Sequence, residues 1–362
     1  MKHARLVGAV SGAFIWAATA ASAQSSAPVP QPAPAAPSQA MRSSAIRLDV
    51  VVNTRSGEPV TNLPEQAFTV LVNNSPRPIT SFRRVTPAQE QVEVILLMDA
   101  IDIRYSDAVS MRDQTENFLH ANGGKLAFPT TIAVLKDEGI QLATGFSKDG
   151  SKLGDALERY TIGLRSITQD AQGGENDRLG IGINALHQIT TYAASLPGRK
   201  LIIWISPGYP LVSGPNINLT AHQQDQIFRE VIGLSLQLRQ ADITLYDVNP
   251  LGVSESMSAA NYYQTFLKGV GKPRDAQFAD IGVQVLSVQT GGLTIESNTD
   301  VSGMIQRCLE DAASWYEISF DPPTADKPDQ YRKIDVRLNQ PGLVARTRTG
   351  YYANPVAVDP AH

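Results

Sequence analysis

Val92-Glu93-Val94-Ile95-Leu96-Leu97-Met98-Asp99 and Leu201-Ile202-Ile203-Trp204-Ile205-Ser206 decide the fold. Each is an apolar run of buried-strand length, and each stops abruptly, the first at a carboxylate and the second before Pro207-Gly208. Runs that are apolar on both faces belong to strands covered on both sides, the habit of parallel sheets between helices. The stretches between them supply the helices. Ala108, Met111, Thr115 and Phe118 recur at helical spacing, as do Leu153, Ala156, Leu157 and Tyr160. Leu179, Ile183, Leu186 and Thr190 predict a longer helix opened by Asn176 or Asp177. Ile227, Val231, Leu234 and Leu238 predict another.

Further strands are predicted at Thr131 to Leu135, Ile243 to Val248 and Leu293 to Ile295, with Gly139 to Gly145 as an antiparallel neighbour. Phe278, Ile281, Val285 and Val288 predict one helix, and Val301, Met304, Ile305, Cys308 and Leu309 the last. Strands alternating with amphipathic helices predict an α/β, Rossmann-like, mostly parallel sheet flanked by helices over residues 91–314.

Outside that core the pattern changes to short strands. Ile46, Leu48, Val50 and Val52 alternate up to the Ser56-Gly57 turn, and Phe68 to Val72 and Ile79 to Phe82 follow. Trp315 to Phe320, Ile334 to Leu338 and Val344 to Arg348 lie at the other end. Small isolated sheets bury too little to stand alone. The flanks 46–86 and 315–353 are therefore expected to join as one small β-sandwich-like unit, leaving 354–362 as a tail.

Residues 1–23 read as an export signal: Lys2 and Arg5, an apolar stretch from Leu6, and Ala21-Ser22-Ala23 before a cleavage ahead of Gln24. Residues 24–45, with Pro28, Pro30, Pro32, Pro34 and Pro37, read as an extended linker. A periplasmic or secreted mature chain is expected, with no later stretch apolar enough to span a bilayer.

Of 362 residues, 31 are Lys or Arg and 35 are Asp or Glu, a formal charge of −4 that removes the electrostatic case for nucleic acid. One cysteine excludes an intrachain disulfide and any multi-cysteine metal site. Cys308 keeps apolar company at helical spacing and reads as a buried thiol. His120 should end a helix, His187 ride on one and His222 sit in a polar loop before one. No His-Glu-x-x-His, Gly-x-Ser-x-Gly or phosphate-cradling loop occurs, so no catalytic residue and no cofactor is assigned.

The order of elements resembles the von Willebrand factor A-type fold, and more closely the secreted, acidobacterial-type VWFA-related domain proteins. Leu48 to Val52 leading to Gly57-Glu58-Pro59-Val60-Thr61-Asn62-Leu63 and Phe68-Thr69-Val70 carries the likeness at the start. Leu96-Leu97-Met98-Asp99, Ser206-Pro207-Gly208 and Asp247-Val248-Asn249-Pro250-Leu251-Gly252 carry it in the middle. Tyr316 to Asp321 and Arg346-Thr347-Arg348-Thr349-Gly350-Tyr351-Tyr352 carry it at the end. The resemblance implies a binding role without a well-established activity.

Many A-type domains hold a divalent cation with an Asp-x-Ser-x-Ser loop, a threonine and a second aspartate; such hard cations take oxygen ligands. Here the loop reads Asp99-Ala100-Ile101-Asp102-Ile103, and a proline, Pro207, stands where the resemblance implies the second aspartate. No threonine occurs in Gly173-Gly174-Glu175-Asn176-Asp177. No tight metal is expected. Asp99, Asp102 and Asp247 can be combined into an alternative cation site, but helix capping is the reading favoured for these carboxylates.

The expected partner is a protein or cell-envelope component. Its contact surface is expected to comprise Asp99, Asp102, Ile103, Arg104 and Tyr105, together with Pro207, Gly208, Tyr209 and Asp247. A hydrolase using the same carboxylates and a purely structural envelope protein are the alternatives.

Overall fold

The computed structural model describes residues 45–101, 105–136, 138–142, 145–158, 173–206, 219–250, 262–296, 300–325 and 327–353, the side chains of 105–107, 173–179 and 262 aside. The proposed signal, the linker up to residue 44 and the tail lie outside these residues.

The central sheet is built on β5 (Val92–Asp99), whose eight residues are all buried. Its neighbours are β6 (Lys125–Lys136) and β9 (Arg199–Ile205), both parallel to it. β10 (Ile243–Val248) and β11 (Thr294–Ile295) extend the sheet beyond β9 in parallel, and β7 (Gly139–Leu142) closes the other side antiparallel to β6. β8 (Ser147–Asp149) also pairs with β6. Counted without β8, which pairs with β6 to one side of this path, the order is 3-2-1-4-5-6, the doubly wound arrangement.

Period-two alternation sorts the strand side chains into two cores. Val94, Leu96, Met98, Leu201, Ile203 and Ile205 face one side. They pack on α1 (Tyr105–His120), α2 (Gly150–Glu158) and α6 (Val301–Glu310). Ile95, Leu97, Ile202 and Trp204 face the other side, against α3 (Gly173–Ala194), α4 (Ala221–Gln240) and α5 (Val283–Thr290). The expected α/β class holds.

A third core lies between two antiparallel sheets. One has the order β14 (Leu343–Arg346), β1 (Ile46–Thr54), β12 (Trp315–Phe320), β4 (Ile79–Val85). The other runs β15 (Gly350–Ala353), β13 (Gln330–Leu338), β2 (Phe68–Val72), β3 (Ser75–Arg77). Leu48, Val50, Val70, Ile318, Phe320 and Ile334 fill the space between them. The first and last strands of the chain thus form one β lobe around the inserted α/β layer.

Several local expectations are corrected. The helix expected from Phe278 to Val288 is two pieces, a 3-10 turn Phe278–Ile281 and then α5, because Gly282 is extended between them. α3 begins at Gly173, ahead of Asn176 and Asp177. His222 stands in the first turn of α4, whose cap is Thr220 in a reciprocal pair with Gln223. β15, a strand of the sandwich, falls on Gly350–Ala353, where the sequence pattern predicts no strand.

The β lobe meets the amino-terminal edge of the parallel sheet through a charged seam. Arg199, the first residue of β9 and 2% exposed, pairs with Asp49 of β1 at 3.2 Å. Its guanidinium lies 4.7 Å from the Trp315 ring centroid and donates to the Asp311 carbonyl at 3.1 Å. Asp311 accepts from Arg346 and, at 2.9 Å, from the Tyr246 hydroxyl. Arg47 pairs with Asp242 and Glu317, and Arg83 with Glu317 and Glu90.

Candidate functional site

Opposite the seam, the carboxyl ends of the strands form a polar rim. Leu97, Trp204, Asp247 and Thr294 lie side by side across β5, β9, β10 and β11. The ladder continues past the strand ends, with Ser206 N donating to Val248 O and Asn249 N to Ile295 O, both near 3.0 Å. Two residues beyond the first row, the alternation therefore sets Asp99, Ser206, Asn249 and Glu296 on the same face. Asp99, Ser206 and Asn249 are buried, and Glu296 is half-buried. The strand order reverses between β5 and β9, the switch point at which ligands of open α/β sheets bind.

The expected site residues fare differently. Asp99 and Asp247 come to one face of this edge, with β9 between their strands. Asp102, Ile103, Arg104, Pro207, Gly208 and Tyr209 lie outside the described residues, as does the side chain of Tyr105, which opens α1. Asp99 Oδ1 accepts the Ile101 amide at 2.9 Å.

Asp247 corrects the capping expectation. It is 0% exposed, and neither of its carboxyl oxygens has a hydrogen-bond partner among the described residues. Burial, then the nearby Glu296, pushes its ionisation well above the usual carboxylate range. Burial raises Glu296 as well, and the Tyr263 phenol is raised by burial and then by Glu296.

Where the family resemblance implies a serine, Ile101 is 3% exposed and packs in the core shared with α3 and α4. That position brings no oxygen to the rim. Among the described residues, no three His, Cys, Asp or Glu side chains are placed to hold a metal ion.

Sequence reading passed over Asn249, Thr294, Glu296 and Tyr263 as site residues. The available signal was polarity at alternate positions, Asp247 and Asn249, where an apolar strand ends. Elsewhere, His187 of α3 contacts Glu230 and Gln237 of α4, and the Nδ1 of His120 lies 2.9 Å from the Glu116 carbonyl.

No family model and no curated protein matches the chain. Solved structures resemble it. An aerotolerance-related membrane protein from Bacteroides fragilis NCTC 9343, carrying multiple mutations to serines, is 13% identical over 60% of this chain and 98% of its own, with a TM-score of 0.31. Manganese-loaded Plasmodium vivax TRAP protein is 11% identical over 75% and 98%, with a TM-score of 0.34. The SpRpn10 VWA domain is 12% identical over 60% and 95%, with a TM-score of 0.30. At such scores these likenesses carry no weight of their own, and the fold rests on the strand order.

Proposed function

We propose that this chain is an exported, non-enzymatic interaction module of von Willebrand A type. It would grip a protein or cell-envelope partner with its carboxyl rim, without an intact metal-dependent adhesion site. The observation that carries this reading is the switch of strand order between β5 and β9, from which the segments after Asp99 and Ser206 depart. The burial of Ile101 supports a grip made by ordinary surface contacts. In this reading Ile103, Arg104 and Tyr105, with Tyr209, supply the mixed apolar and cationic contacts suited to an interface. Export rests on the amino-terminal signal pattern.

The test is enrichment from envelope extract, with the mature chain, a Tyr105→Ala/Tyr209→Ala variant and an Arg83→Ala control in the β lobe as baits. Partners lost with the double variant and kept with the control support the reading. Equal recovery with all three rejects the rim as the contact surface.

One observation favours a second reading, catalysis by the rim carboxyls: Asp247 is buried, without a partner among the described residues, and shifted upward beside Glu296. A hydrolytic activity that Asp247→Asn abolishes in a folded protein would establish it.

A further inference from the structure

Each sheet ends in strands that pair on one side only. Most of these edges are brief: β14, β15 and β7 have four residues, β3 and β8 three, and β11 two. β4 has seven. Shortness and proline, such as Pro76 in β3, guard an edge against another chain. β4 has neither; a bulge at Thr80 and the charges of Arg83 and Arg84 are the guards it carries.

β12 occupies one side of β4. Among the described residues, the β4 backbone makes no hydrogen bond on the other side. Thr80, Ser81, Arg83 and Arg84 are exposed, so side chains of both faces meet solvent along this edge. Water serves such groups in a lone chain, and exposure by itself asks for no partner. The order of the side chains is what selects one.

Side chains alternate between faces, so a second β4 laid antiparallel about a twofold axis must be centred on a residue that meets its own copy. Centred on Phe82, Ser81 lies opposite Arg83 of the other copy, Thr80 opposite Arg84, and Ile79 opposite Val85. No arginine meets an arginine, and the two half-buried Phe82 rings form an aromatic pair at the axis. An axis at Arg83 sets like charges opposite each other, and an axis at Ser81 leaves Arg84 and Val85 beyond the other strand. Arg83 is already turned onto Glu317 and Glu90, so its charge is balanced before a second copy arrives.

We propose that β4 is a self-pairing edge, by which two copies of this chain associate about a twofold axis at Phe82. Their four-stranded sheets then join into one continuous sheet. β4 belongs to the β lobe, so the carboxyl rim takes no part in this contact.

Sedimentation equilibrium of the full chain over a wide range of concentration tests this. The mass is expected to rise from 39.0 kDa towards twice that value. Ser81→Arg sets like charges opposite each other at both ends of the pairing and is expected to weaken association by about tenfold. Ser81→Glu sets a carboxylate opposite Arg83 instead and is expected to strengthen it. Thr80→Arg, opposite Arg84 of the other copy, repeats the test should Ser81→Arg fail to fold. A mass that stays at 39.0 kDa overturns the proposal. So does a dimer that folded Ser81→Arg or Thr80→Arg leaves intact, or one that Ser81→Glu weakens as much as Ser81→Arg does.

Discussion

Arg199 and Asp49 form an ion pair at 3.2 Å that joins the α/β layer to the β lobe, with Arg199 almost fully enclosed. Arg199 also stacks on Trp315 and donates to the Asp311 carbonyl, so one side chain bridges β9, β1, β12 and the end of α6. Arg199→Ala leaves a cavity and strips Asp49 of its nearest cation. Urea unfolding is expected to register a loss of about 3–5 kcal/mol. Arg199→Lys keeps the charge but not the flat stacking surface, and an intermediate loss is expected.

Asp280 gives the pH dependence a sign. Burial lifts it from 3.8 to about 7, against the opposing pull of the Gln277 amide it accepts. Between those values the folded chain keeps a proton that the unfolded chain has released. Its contribution to stability is fully present below about pH 4 and is lost as the pH rises through 7. Asp49, raised to about 7 chiefly by burial and then by Asp242, acts in the same direction. Asp280→Asn keeps the acceptor and removes the titration. It is expected to raise the melting temperature at pH 8 by about 1–3 °C and to leave it unchanged at pH 4.

Tyr316 holds the long connection between β1 and β2. Its hydroxyl accepts from Leu63 N at 2.9 Å and donates to Val60 O at 3.0 Å. Tyr316→Phe strands both backbone groups, and denaturant unfolding is expected to show a cost of about 1–3 kcal/mol.

Cys308 lies fully buried on α6, and burial pushes its thiol well above the ordinary range. A thiol reagent is expected to label the native protein only at the rate of unfolding, and to label it at once in concentrated urea. Fast labelling without denaturant would contradict this burial.

Much of the architecture was legible because burial leaves a periodic trace. The strand at Ile243–Val248 and the one at Trp315–Phe320 coincide with their apolar runs to the residue. β15 escaped because Gly350-Tyr351-Tyr352-Ala353 has no alternation; all four are buried, pressed against α4 and the partner strand. The break at Gly282 escaped because side-chain spacing does not record a change of backbone conformation. At the site, Asp99 and Asp247 were visible as carboxylates ending strands. Their companions Asn249 and Glu296 were not, since only the register across β9, β10 and β11 sets them in one row.

The pairing of Val72 with Ile334 has a consequence for how the chain matures. β2 must wait for β13, and β1 for both β12 and β14, while more than two hundred intervening residues are made. Closing so long a span is slow. Until it closes, the early strands expose unsatisfied amides and carbonyls of the kind that invite aggregation. A chain that stops short of Trp315 leaves β1 without either neighbour and β2 with β3 alone, so assembly of this protein depends on its later strands arriving to lock the early ones.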